Sequence, residues 1–249
     1  MKKILKILLS IGIGIQFLNA NDIQLSNGSK VELLSGDKKT ACEVILCLSS
    51  PHRPNECVPP LQRYFAIKFK KPWQTIQARK DFLNLCPQDN SDQDFIRYAT
   101  EILPEVDEEC SLHSLNQRIE KRQFGNEMFC QNDSNGEQIC RSVAKVGYKI
   151  NSVATNSCAL LSSSKYTDYR LKYTCPNKFY SEEEWNSGKE IVSEISKEEF
   201  DKTHEMFKLS VKKWELSQQN NWKQHYVLVT HYYKTKPIKK DCWINENGK

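Results

Sequence analysis

No C-x-x-C pair, G-x-S-x-G elbow, P-loop or dinucleotide fingerprint occurs anywhere in the 249 residues. Their absence sets aside thioredoxin-like redox chemistry, a common class of hydrolases and ordinary nucleotide chemistry. A large excess of one charge is missing too. Lys and Arg number 36 against 31 Asp and Glu, and a net charge of +5 is mild for a dedicated nucleic-acid binder. Nine Gly and nine Pro exclude collagen-like and low-complexity designs, and 27% charged residues exclude a polytopic membrane protein. The 39% apolar content, with 10% aromatics, is enough to build a core.

What the chain does have is sulfur and a leader. Lys2 and Lys3 precede an apolar stretch from Ile4 to Leu18, and Leu18-Asn19-Ala20 ends on a small residue. This is the pattern of a secretory signal peptide over residues 1–20, with cleavage expected after Ala20. The apolar stretch is short for a bilayer core about 30 Å thick, which argues against a retained anchor. Removing Lys2, Lys3 and Lys6 lowers the net charge of +5 by three, so most of the basicity belongs to targeting. All ten cysteines lie beyond that point: Cys42, Cys47, Cys57, Cys86, Cys110, Cys130, Cys140, Cys158, Cys175 and Cys242. An even number in an exported chain reads as a disulfide framework. Zinc would want closer pairs than the C-x₄-C of Cys42 and Cys47.

The expected fold is α+β, with a mainly helical, disulfide-linked N-terminal part and a mixed C-terminal part. A polar leader occupies 21–39, a helical cysteine-rich region 40–123 and a mixed region 124–249. Thr40 and Glu43 have capping-box spacing and predict a helix over about 41–49, apolar on most sides. Pro59 and Pro60 open a second helix, Trp73 to Leu85 forms a third, and Ser91 starts a fourth that Pro104 ends. A fifth is expected between Pro104 and Arg122. Ser134-Asn135-Gly136 predicts a hairpin turn; a three-residue loop sets Cys130 opposite Cys140, the best candidate disulfide, whereas a two-residue Asn135-Gly136 turn would set Cys130 opposite Arg141. Short strands are expected near 146–150, 158–163 and 169–174. Ser181 caps the acidic run Glu182-Glu183-Glu184 of a short helix, and Ser196 caps an amphipathic helix carrying Phe200, Phe207, Val211 and Trp214. Tyr226 to Tyr233 forms a strand, and Cys242 ties the tail to the body.

Chemical motifs are sparse. His204-Glu205 begins a zincin-like motif, but Lys208 stands where the second histidine belongs. His225 and His231 share a strand face and read as surface histidines. Glu43, inside an apolar helix, is the one candidate for a general acid of a wall-cleaving enzyme, and capping is its simpler role. Lysines and aromatics interleave from His231 to Lys240; a solvated strand edge explains them better than single-stranded nucleic acid.

Three motifs are more specific. Ala41-Cys42-Glu43-Val44-Ile45-Leu46-Cys47-Leu48-Ser49-Ser50 is followed by Arg53-Pro54-Asn55-Glu56-Cys57 with Leu61-Gln62-Arg63-Tyr64-Phe65-Ala66-Ile67, and then by Arg79-Lys80-Asp81-Phe82-Leu83-Asn84-Leu85-Cys86-Pro87. Together they resemble the TrbM family of conjugal transfer proteins. The resemblance implies an exported, periplasmic accessory of the mating-pair-formation apparatus, a type IV secretion system that moves plasmid DNA. It implies partners among the other transfer proteins and carries no catalytic residue, cofactor or metal. Direct nucleic-acid binding and stable membrane insertion after signal cleavage are not expected. What transfers by position is the framework of Cys42, Cys47, Cys57 and Cys86, and a family-motif surface of Arg53, Glu56, Gln62, Arg63 and Tyr64. The alternatives are a peptidoglycan-modifying enzyme of the same apparatus and a secreted adhesin or effector.

Overall fold

The computed structural model describes residues 22–24, 30–32, 34–88, 91–217 and 225–247. The expected leader over 1–20 lies outside them. A short antiparallel pair, β1 (Asp22–Gln24) and β2 (Lys30–Glu32), precedes the first helix. Helix α1 (Gly36–Ser49) starts with Ser35 as its N-cap, five residues before Thr40. Thr40 is therefore inside the helix, where its hydroxyl donates to the Gly36 carbonyl, and Glu43 pairs with Lys39 at 3.6 Å. The Thr40 capping box does not form, because Ser35-Gly36 supplies an earlier start. Ala41, Val44, Ile45 and Leu48 form the buried stripe, at the i, i+3, i+4, i+7 spacing of one helix face, whereas Leu46 is 70% exposed.

Helix α2 (Val58–Ala66) follows a single 3₁₀ turn at Asn55–Cys57 and begins on its prolines, whose missing N–H groups cost nothing in a first turn. Helix α3 (Pro72–Leu83) ends just before Cys86. The fourth helix starts one residue later than expected, with Asp92 accepting from the Phe95 amide, and is short: α4 (Gln93–Arg97). It widens into a π turn at Tyr98–Ile102 and tightens to a 3₁₀ turn carrying Pro104. The fifth helix is only α5 (Leu112–Gln117), because strand β3 (Ile119–Asn132) begins two residues on.

β3 pairs with β4 (Gln138–Ile150) in a long hairpin whose register sets Cys130 opposite Cys140. Gly136 adopts φ 82°, a value that favours glycine, and the Asp133 carboxylate accepts from the Asn135 and Glu137 amides. Gly147 lies under the Phe124 ring, where any Cβ would overlap it. Residues 158–163 are not a strand. Thr155 caps them as helix α6 (Asn156–Ser163), with its hydroxyl accepting from the Cys158 amide.

β5 (Leu171–Tyr173) then waits for the far end of the chain, pairing with β9 (Trp243–Asn245). Helix α7 (Glu182–Ser187) has a complete Ser181–Glu184 capping box and stops at Gly188, φ 69°. The last sheet has the order β6 (Lys189–Glu194), β8 (Tyr226–Pro237), β7 (Lys208–Leu216). Helix α8 (Lys197–Lys202) is much shorter than expected, since Lys208 to Leu216 is the strand β7 paired with β8 along its full length. β8 is the central strand, so its lysines do not guard a sheet edge.

All ten cysteines are bonded: Cys42–Cys86, Cys47–Cys57, Cys110–Cys158, Cys130–Cys140 and Cys175–Cys242. The bridges nest but never cross. They divide the chain into three successive covalent loops, and no disulfide joins one loop to the next. One apolar core and a few hydrogen bonds do that joining; the core runs from Val44 and Leu48 of the first loop through Leu115, Ile150 and Leu161 to Trp243, just past the bridge that closes the third.

Asn116 fastens the tail to this core. Its carbonyl accepts from the Cys242 and Trp243 amides at 2.8 and 2.7 Å, and its amide donates to the Trp243 carbonyl at 3.2 Å. Asn116→Ala leaves three partly buried backbone groups unpaired. A loss of about 2–3 kcal/mol is expected in urea unfolding, whereas Gln117→Ala, on the exposed side of the same helix, should change little.

Candidate functional site: a groove along the second helix

Arg53 and Pro54, the 3₁₀ turn that follows them and α2 enclose one side of a groove of about 500 Å³. Val58, Leu61, Phe65 and Ala66 supply its apolar wall; Arg53, Gln62 and Glu109 supply its polar rim. The helix presents these residues together because 58, 61, 62 and 65 share one face at 3-4 spacing. Cys47–Cys57 pins the start of α2 to α1, and Cys42–Cys86 pins α1 to the end of α3. The wall is thereby rigid before any partner arrives, which lowers the ordering cost of binding.

Arg53 is a structural brace more than a surface group. Its side chain is nearly buried, donating to the Cys47 and Ser50 carbonyls and to the Tyr169 hydroxyl at 2.8 Å, and meeting Glu109 at 2.7 Å. Tyr169 passes the chain of bonds on to the Cys110 carbonyl at 3.1 Å. Burial pushes its phenol above the usual tyrosine value, against the lowering effect of the Arg53 guanidinium. One guanidinium thus connects the end of α1, the segment before α5 and a residue of the third region.

Tyr64 corrects the expected surface more sharply: it is 0% exposed. Its hydroxyl donates to the Leu103 carbonyl at 2.5 Å, and the Arg79 guanidinium stacks on its ring at 4.9 Å. Burial drives its pKa far up, with Arg79 opposing. Tyr98, hydrogen-bonded to Ser49 at 3.0 Å, is likewise pushed up to about 12 by burial. Glu56 and Gln62 are exposed, and Arg63 is exposed and paired with Asp37 at 2.7 Å. Of the five motif residues, only Arg53 and Gln62 line the groove. Glu109, Val58 and Phe65 complete it; Val58 and Phe65 sit within the motif helix, but nothing local in the sequence marks Glu109.

Glu43, the candidate acid, is on an open helix face and ion-paired with Lys39, so the apolar cleft a raised carboxyl pKa requires is not around it. His231 lies between Glu194 and Glu215, each carboxylate 2.8 Å from a ring nitrogen, and His225 precedes β8. Among the described residues no group of three His, Cys, Asp or Glu is arranged to hold a metal ion, and no helix is long and apolar enough to cross a membrane.

A family model described as TrbM matches residues 33–200, which covers the groove, the Arg53 brace and four of the five disulfides. No curated protein and no solved structure matches the chain. The match spans more than half of the sequence and coincides with the three motifs and the covalent framework they build: the chain belongs to the TrbM family, and so to conjugal transfer.

Proposed function

We propose that the protein is a non-enzymatic accessory of the mating-pair-formation apparatus, working in the periplasm after cleavage at Ala20 and docking other transfer proteins through the α2 groove. One observation carries the reading: the Arg53–Ile67 motif builds a disulfide-braced apolar wall with a polar Arg53–Glu109 rim. Five disulfides suit an oxidising compartment. An apolar centre rimmed by polar groups is the usual anatomy of a protein interface.

The substitution Val58→Glu tests it. Val58 is 49% exposed at the first position of α2, where a carboxylate suits the helix dipole, so stability should stay within about 0.5 kcal/mol. Plasmid transfer from a donor complemented with the variant should fall by roughly 100-fold, because burying an unpaired carboxylate costs about 2–4 kcal/mol or more at an interface. Unchanged transfer contradicts the docking role of the groove. Clearing of a murein gel by the wild-type protein supports the enzymatic alternative instead.

A further inference from the structure

The connection from α2 to α3 is basic and aromatic, and none of its charges is neutralised. Between Glu56 and Asp81 the chain contains no acidic residue, yet it carries Arg63, Lys68, Lys70, Lys71, Arg79 and Lys80. Arg63 is paired with Asp37 and Arg79 is buried, which leaves Lys80 on α3 and the three lysines of the loop. Lys68, Lys70 and Lys71 are exposed, and no ion pair among the described residues involves them. Between and beside them project Phe69, 53% exposed, and Trp73, 62% exposed, with Ile76 one turn further along α3. Lys71 rests its ammonium 5.9 Å from the Trp73 ring centre. The loop is held in this shape from beneath: the Thr75 hydroxyl accepts from the Phe69 amide at 2.8 Å, and Arg79 donates to the Ile67 carbonyl at 3.2 Å.

We infer that the Lys68–Ile76 segment is a peripheral docking element for an anionic lipid surface, with Phe69 and Trp73 entering the headgroup layer and the three lysines meeting lipid phosphates. Charge complementarity and composition both point there. Amphipathic rings settle at the membrane–water boundary, and unpaired lysines beside them are each attracted by an anionic leaflet. Single-stranded nucleic acid fits less well. It needs a basic groove that tracks its backbone, but the cavity next to this loop has Glu105 and Asp107 on its other wall. A phosphate chain entering that cavity would run onto carboxylates. The inference is separate from the α2 groove, since it concerns lipid contact at a different set of side chains.

The test uses protein recovered from an exporting host with its disulfides intact. It is sedimented with phosphatidylcholine vesicles, with and without about a third phosphatidylglycerol, at low and high salt. Partitioning onto the anionic vesicles is expected, weakened by salt. The triple substitution Lys68→Glu, Lys70→Glu, Lys71→Glu should reduce it by about 100-fold or more. Lys38→Glu, Lys202→Glu, Lys212→Glu changes the net charge equally, at exposed positions elsewhere, and should reduce it far less. Trp73→Phe should remove most of the fluorescence blue shift seen on vesicle addition, a readout that requires no loss of binding. Equal losses from the two triple variants would reduce the effect to bulk charge and overturn the inference. So would partitioning that ignores the loop lysines, or retention of a labelled oligonucleotide by those lysines without vesicle binding.

Discussion

Replacing Arg79 with Ala is expected to destabilise the protein by about 3–5 kcal/mol, seen as a lower urea midpoint at unchanged slope. Arg79 is 3% exposed, and among the described residues it has no carboxylate within ion-pair distance. Its charge is held instead by the Ile67 and Val106 carbonyls, at 3.2 and 3.0 Å, and by the faces of Tyr64 and Phe65. Tyr64 and Arg79 together grip the segment from Leu103 to Val106, which closes the helical half of the core. Removing the guanidinium leaves a cavity beneath Tyr64 and takes a donor from each of two carbonyls. Arg79→Met separates these effects: it restores much of the volume without the donors, so a loss of about 2 kcal/mol is expected. Were Arg79→Met as stable as the wild type, the desolvation cost of the charge would cancel everything its contacts contribute, and its bracing role would be wrong.

The second large effect concerns the Cys175–Cys242 bridge. It closes the longest loop, with a sequence separation of 67, and no other bridge lies within it. Chain entropy assigns it about 4 kcal/mol, against about 3 for Cys130–Cys140 at a separation of 10. Changing both Cys175 and Cys242 to Ser should therefore cost more than the same change at Cys130 and Cys140. The two losses should also differ in kind. The tail pair supports β9 against β5 and keeps Trp243 in the common core, so its loss should lower global stability and expose amides 243–245 to exchange. The hairpin pair lies near an exposed turn, and its loss should loosen exchange mainly around 128–142. Similar exchange patterns in the two double variants would contradict the division into independent covalent loops.

How far these features were legible in the sequence depends on how local their causes are. Asp133-Ser134-Asn135-Gly136 specifies its turn through one glycine and the Asp133 side chain, so the hairpin was legible and its register came down to two loop lengths, of which the three-residue one forms. Ser181-Glu182-Glu183-Glu184 is just as local. The segment Lys208 to Leu216 reads as helix because Phe207, Val211 and Trp214 recur at helical spacing, yet it becomes a strand through nine pairings with β8. That information lies about twenty residues away. Residues 158–163 failed for the reverse reason: their apolar run fits strand or helix equally, and Thr155, three residues earlier, decides. In the candidate site, the Arg53 brace depends on Glu109 and Tyr169, which no spacing connects to it. The acid-free stretch between Glu56 and Asp81 is visible as composition alone. It gains meaning only when the fold leaves Phe69 and Trp73 uncovered.

The proposed docking of other transfer proteins at the α2 groove has a direct test. A photo-crosslinking residue in place of Gln62, exposed on the groove rim, reports on that contact in mating cells. The same probe at Ile139, exposed on the β3–β4 hairpin, serves as the comparison. Adducts with components of the transfer apparatus are expected from Gln62 and not from Ile139, and the Gln62 adducts should be lost when Val58→Glu is added. Adducts with those components from Ile139 and none from Gln62 would contradict it.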